Sequence, residues 1–118
     1  MAPDIMLLRI VIRINIVRCI SVNRIEITVL SARVLDALSA RGLKTKTVRE
    51  FERYGTRRIV KHCLNKGQTL YSKETVQNFV WQERARMESG SLPHYQWALT
   101  RRAAVYLDQT VEHEKIQD

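Results

Sequence analysis

The chain has 118 residues, of which 45% are hydrophobic and 27% charged, and its net charge is +8 at pH 7. This length holds one domain with a modest core, and this composition excludes a largely disordered chain. The excess of positive charge favours a polyanionic partner such as DNA, RNA or an anionic membrane, although a basic surface can also serve solubility alone.

The charge is concentrated in the middle of the chain. Residues 41–102 hold 14 Lys and Arg against 5 Asp and Glu, whereas residues 103–118 have a net charge of −3. An electrostatic footprint is therefore expected within 41–102.

The first 28 residues contain the most apolar segment and are expected to form an N-terminal extension of uncertain structure. Arginines at 9, 13 and 18 interrupt this segment, so it does not qualify as a membrane span. Isoleucines at positions 10, 12, 14 and 16 alternate with other residues, which is a strand-like period, but an amphipathic helix also fits.

Two helices are predicted next. Apolar residues at helical spacing indicate a first helix near 29–40, which Gly42 can close in the left-handed conformation. A second helix is predicted from Thr45 or Thr47 to Gly67, and Thr47 with Glu50 has the spacing of a capping box. Gly55 inside this helix predicts a close helix contact or a kink. The predicted apolar stripe comprises Val48, Phe51, Tyr54, Ile59 and Cys63.

Two further helices complete the predicted domain. Ser72 is a good N-cap for a third helix reaching about Glu88, with Glu83 interrupting its apolar side. A fourth helix is predicted from Ser91 to about Glu112, followed by a frayed tail at 113–118. Tyr95 is expected in its core stripe and Trp97 outside it. The predicted fold is all-α, a compact bundle of about four helices within 29–112.

The residue types needed for catalysis or metal binding do not form a recognisable set. Cys19 and Cys63 are distant in sequence, and the three histidines, His62, His94 and His113, do not pair at ligand spacing. No nucleophile, base and oxyanion donor can be assembled. We therefore expect no enzyme activity, no metal, no cofactor and no small-molecule substrate, and a reduced, cytoplasmic location with no membrane partner.

Basic residues on the second helix give the strongest functional signal. Lys46, Arg49, Arg53 and Arg57 follow three- and four-residue spacing, so they should line one helix face, and Lys61 extends the row. Arg58 lies off this row, nearer the apolar stripe. The fourth helix offers a second basic patch in Arg101 and Arg102. Such rows bind phosphates, which favours nucleic acid over a merely solvated face.

Two segments carry a resemblance to a known family. GLKTKTVREFERYGTRRIVKHCLNKGQTLYSKETVQNFV (42–80) and SLPHYQWALTRRAAVYLD (91–108) resemble the N-terminal core-binding domain of phage-type integrases, the tyrosine recombinases. The resemblance covers about 31–110 and implies an orthogonal, SAM-like four-helix domain that clamps recombination-site DNA. By position, it implies DNA contacts from Lys44, Thr45, Lys46, Arg49, His94, Gln96 and Arg101.

The resemblance does not extend to catalysis. The family's catalytic domain supplies an Arg, a Lys, a His-x-x-Arg pair and a nucleophilic Tyr, and Tyr106 lacks that setting here. The favoured interpretation is thus a non-catalytic domain that binds double-stranded DNA, together with other recombinase protomers where these share the site. The alternatives are a small regulatory nucleic-acid-binding protein and a protein-interaction module, both unrelated to recombinases.

Overall fold

Four helical rods follow one another in the part of the chain that the structure describes. The computed structural model describes residues 25–117, with side chains as far as residue 113. The rods are α1 (Ile27–Ala40), a composite rod, α4 (Lys73–Glu88) and α5 (His94–Gln117). The composite rod consists of α2 (Thr45–Phe51), a π-helical turn (Glu52–Thr56) and α3 (Arg57–Asn65). Within 25–117 no residue belongs to a strand, which confirms the all-α bundle. The expectations for residues 1–24 lie outside the described residues.

Backbone pairing joins the start of α1 to the connector before α4. The amide of Ile27 donates to the carbonyl of Thr69 at 2.8 Å, and the amide of Tyr71 donates to the carbonyl of Ile25 at 2.7 Å. These bonds form a β-bridge between Glu26 and Leu70. The chain therefore enters the described domain directly beside Tyr71.

The helix boundaries confirm some sequence signals and contradict others. The Ser72 hydroxyl accepts a hydrogen bond from the Thr75 amide at the start of α4, as predicted. The capping box at Thr47 was wrong, because the composite rod already begins at Thr45. Lys44 occupies the N-cap in extended conformation, without a side-chain cap bond. Helix α5 continues to Gln117, beyond the end predicted near Glu112.

All four rods contribute to one apolar core. Cys63 is fully buried in it, as expected for a small core residue. Helix α5 contacts both the composite rod and α4, so its buried surface is wider than a single stripe. Trp97 is consequently 9% exposed and Tyr95 is 56% exposed, the reverse of the prediction. The core comprises Ile27, Leu30, Val34, Leu38, Phe51, Ile59, Cys63, Tyr71, Val76, Phe79, Ala103, Leu107 and Val111.

Gly55 marks the closest approach of the composite rod to α5. A Cβ at this position would lie 2.9 Å from the Ala103 Cβ and 3.0 Å from the Leu99 carbonyl oxygen. These distances are too short for any residue other than glycine without a shift of the backbone. The close helix contact predicted for Gly55 is therefore confirmed, and it occurs within the π-helical turn.

Candidate nucleic-acid interface

The basic row lies on the solvent side of the composite rod. Buried residues recur every four positions along this rod, at 51, 55, 59 and 63, and Thr56 is buried beside them. Four members of the basic row lie two positions earlier at each step, and Lys46 lies three residues before the first of them. Two residues correspond to a rotation of about 200° around a helix, so the two rows face opposite ways. The row comprises Lys46, Arg49, Arg53, Arg57 and Lys61, and each of these residues is exposed.

Most members of this row carry a charge that is available to a ligand. Arg57 is the exception, because its Nη2 donates to the Glu52 carboxylate at 2.8 Å. Arg49, Arg53 and Lys61 make no ion pair with another described residue. From Arg49 to Lys61 the row spans about 18 Å at the rise of a helix. This arrangement can contact several phosphates along one duplex.

The start of the rod continues the positive surface. Lys44 and Thr45 are both exposed, and Lys44 is the residue that precedes the first helical turn. Lys46 follows directly within that turn. The structure thus places these sequence-predicted residues on one continuous segment with the basic row.

A buried ionic cluster fixes the opposite side of the rod. Glu83 on α4 is only 2% exposed, and its carboxylate contacts the guanidinium groups of Arg58 and Arg86. Arg58 also donates to the Thr100 hydroxyl at 3.0 Å, and that hydroxyl lies 2.9 Å from the Tyr54 carbonyl oxygen. Because one cluster joins the composite rod, α4 and α5, the orientation of the basic row is defined by the core. Arg58 lies off the row, as predicted.

The start of α5 lies beside the middle of the composite rod. The rings of Tyr54 and Tyr95 meet edge to face with centroids 5.5 Å apart. His94 is exposed and Gln96 is half-buried, with the Gln96 amide donating to the Tyr95 hydroxyl. His94 and Gln96 therefore lie near the rod that carries the basic row.

Arg101 lies on another side of α5. Leu99 and Ala103 contact Gly55, whereas Arg101, two residues from each, lines a groove between α4 and α5. This α4–α5 groove has a volume of about 640 Å³. The structure therefore does not bring Arg101 together with the basic row. Arg102 is exposed but is not among the residues that line the groove.

His62 faces the interior of the bundle. Its ring lies 4.5 Å from the ring of Phe79, and its Nε2 atom is buried without a hydrogen-bond partner among the described residues. Burial, followed by the nearby charge of Lys66, lowers the pKa of His62 below its ordinary value of 6.5, although Glu83 opposes this effect. The ring is therefore neutral at pH 7 and adds no charge to the basic face.

The sequence pattern did not predict the environments of two residues in this region, Glu83 and Tyr95. Glu83 interrupts the apolar pattern of α4. The signal that it could be buried was Arg58, a single basic residue beside the apolar stripe of the preceding helix that can pair with it. Tyr95 was assigned to the core. Its exposure beside Tyr54 depends on which side of α5 meets each neighbour, and a single helical pattern does not specify this.

Neither a membrane-spanning helix nor a metal site occurs among residues 25–117. No helix there combines the length and apolar character needed to cross a membrane. No group of three or more His, Cys, Asp or Glu in that range is arranged to hold a metal ion. Comparisons with protein-family models, with curated proteins and with solved structures found no match.

Proposed function

We propose that this chain is a non-catalytic domain that binds double-stranded DNA through the solvent face of the composite rod. The observation that supports the proposal is the row of exposed cations opposite the core, of which Arg49, Arg53 and Lys61 are not neutralised by described residues. Phosphate contacts would supply most of the affinity, through release of counterions. His94 and Gln96 flank Tyr95, whose ring contacts Tyr54 of the rod, and in this proposal they extend the same surface.

Within this proposal, the chain acts as the core-binding part of a tyrosine recombinase in the cytoplasm. The four-helix architecture and the segments 42–80 and 91–108 support that narrower proposal. The catalytic groups and the exchange of strands would belong to another domain, and other recombinase protomers would share the DNA. Arg101 would contribute only if the DNA also reached the far side of α5.

Salt dependence of binding tests the broader proposal. The full chain is titrated with a labelled 30-base-pair duplex and followed by fluorescence anisotropy. Six phosphate contacts predict a slope of about −5 for log affinity against log salt, hence a loss of roughly a thousandfold between 50 and 200 mM. Binding that is weak and insensitive to salt would contradict the proposal.

A matched pair of variants locates the binding face. The double variant Arg49→Gln/Arg53→Gln should reduce the slope by about 2, because two phosphate contacts are lost. The control Lys73→Gln/Arg84→Gln removes the same charge from the α4–α5 groove and should leave the slope unchanged. Equal losses in both variants would show that only net charge matters.

Selection of duplexes from a random pool tests the recombinase proposal separately. A recombinase domain should enrich sequences at a few positions that groove-facing side chains contact, on top of the phosphate term. Strong binding without any enriched sequence would retain the DNA-binding proposal and reject the recombinase one.

A further inference from the structure

The α4–α5 groove is an apolar surface without a function in the proposed DNA contact. Its floor includes Val76, Val80 and Trp97, and its lips include Trp81 and Val105. Trp81 is 66% exposed and Val105 is 47% exposed. An exposed tryptophan above an apolar floor indicates a docking site for another apolar element.

The charges on the groove are largely paired, and this argues against a polyanion as its occupant. The Lys73 ammonium lies 3.8 Å from the Asp108 carboxylate. Arg84 bonds Glu88 at 3.0 Å, and its guanidinium also lies over the Trp81 ring. Of the groove cations only Arg101 makes no ion pair with a described residue. A nearly neutral, apolar groove is suited to an apolar segment.

The chain itself supplies such a segment next to the groove. The amide of Tyr71 donates to the carbonyl of Ile25, and Tyr71 and Lys73 both line the groove. Twenty-four residues precede Ile25, and positions 6, 8, 10, 12, 14 and 16 among them are all Met, Leu or Ile. The groove extends over α4 from Lys73 to Met87, about 21 Å at the rise of a helix. Eight connecting residues, 17–24, can span about 26 Å, so the apolar positions can reach it.

We propose that the apolar N-terminal segment, residues 5–16, binds in the α4–α5 groove of the same molecule and covers Trp81. The short tether raises the effective concentration of the segment at the groove to the millimolar range, which favours binding within one chain over binding between chains. Arg9 and Arg13 fall between the apolar positions and would remain in solvent. This inference does not depend on the DNA-binding proposal.

Fluorescence quenching of Trp81 by acrylamide in the full chain tests the inference. Trp97 is 9% exposed, whereas Trp81 is 66% exposed at the edge of the groove. Covering Trp81 to the same degree should lower its quenching constant about sevenfold, the ratio of these two exposed fractions. The variant Trp81→Phe isolates the contribution of Trp97, so the contribution of Trp81 follows by difference.

Two variants with the same change in charge provide the comparison. Ile12→Asp places a carboxylate at one of the apolar positions and should restore the quenching of Trp81. Asn15→Asp places the same charge at an alternate position and should leave Trp81 covered. On the groove, Val105→Asp alters an exposed residue that need not disturb folding, and it should also uncover Trp81.

Each alternative occupant predicts a different result. Full quenching of Trp81 in the unaltered chain, with no change in Ile12→Asp, would overturn the proposal. Protection of Trp81 from acrylamide that appears only at higher protein concentration, together with dimers in sedimentation, would overturn the proposal and identify a second copy of the chain as the occupant of the groove. Protection at all concentrations that is lost in Ile12→Asp and Val105→Asp but not in Asn15→Asp would confirm binding within one chain.

Discussion

The contact at Gly55 makes a prediction that runs against ordinary helix propensity. Replacing glycine by alanine inside a helix usually stabilises it by about 1 kcal/mol. In this structure the added Cβ would lie 2.9 Å from the Ala103 Cβ and 3.0 Å from the Leu99 carbonyl oxygen. Neither atom belongs to a flexible side-chain end, so the two helices must move apart.

The size of the effect follows from two opposing contributions. Overpacking a well-packed contact costs about 1–3 kcal/mol, and separating two backbones places this site in the upper part of that range. Subtracting the gain in helix propensity leaves a net destabilisation of about 1–2 kcal/mol for Gly55→Ala. For a domain of this size the midpoint of thermal unfolding should fall by about 5–10 °C.

Denaturant unfolding followed by circular dichroism measures this change, and a double-mutant cycle assigns its cause. In the variant Gly55→Ala/Ala103→Gly the shorter of the two contacts is removed, so the pair should be more stable than additivity predicts, by at least about 0.5 kcal/mol. If Gly55→Ala proves as stable as the unaltered chain, or the two changes are additive, the close contact does not limit this position.

Three further predictions concern charged and titratable groups. Glu83→Gln should lower the free energy of unfolding by about 2–4 kcal/mol, because Arg58 loses a buried partner. The control Arg84→Gln/Glu88→Gln removes an exposed pair and should change the free energy of unfolding by about 0.5 kcal/mol at most. Similar losses in the two variants would contradict a buried cluster. Glu52→Gln should release Arg57 for phosphate and steepen the salt slope of DNA binding by about 0.9, whereas Glu50→Gln, an exposed control, should not. Because the pKa of His62 is lowered on folding, the unfolded chain binds more protons below pH 6.5. The contribution of His62 to the free energy of unfolding should be complete above pH 6.5 and should decrease as the pH falls through the folded-state pKa of His62. His62→Gln should remove this part of the pH dependence in denaturant titrations, and an unchanged dependence would assign it to other groups.

Local signals in the sequence were sufficient to predict the four helices and several of their ends. Gly42 and Gly67 follow the ends of two rods, and both have positive φ. Ser72 caps α4 through its hydroxyl, as its position before an apolar pattern indicated. Each of these features depends on residues within a turn or two, and such short-range chemistry can be identified without a structure.

Features that depend on the positions of two neighbouring helices could not be predicted from local signals. Trp97 and Tyr95 lie two residues apart on α5, and either could have been buried by a single partner helix. Their environments depend on the composite rod meeting one side of α5 and α4 meeting another. The same limit applied to Arg101, whose place in the groove follows from the relative position of two helices rather than from its spacing to other arginines.

The π-helical turn also determines whether residues spaced by four stay on one face of this rod. In a regular α-helix four residues turn through about 400°, so residues spaced by four drift about 40° at each step. Three such steps, from Phe51 to Cys63, would displace the last residue by about 120°. A π turn holds roughly one residue more than an α turn and takes back about 100° of rotation. Deleting one residue between 52 and 56 would therefore leave a regular α-helix in which Phe51 stays aligned with Cys63 and Arg49 with Lys61. Losing the π turn without a deletion would instead twist both stripes by about 100°.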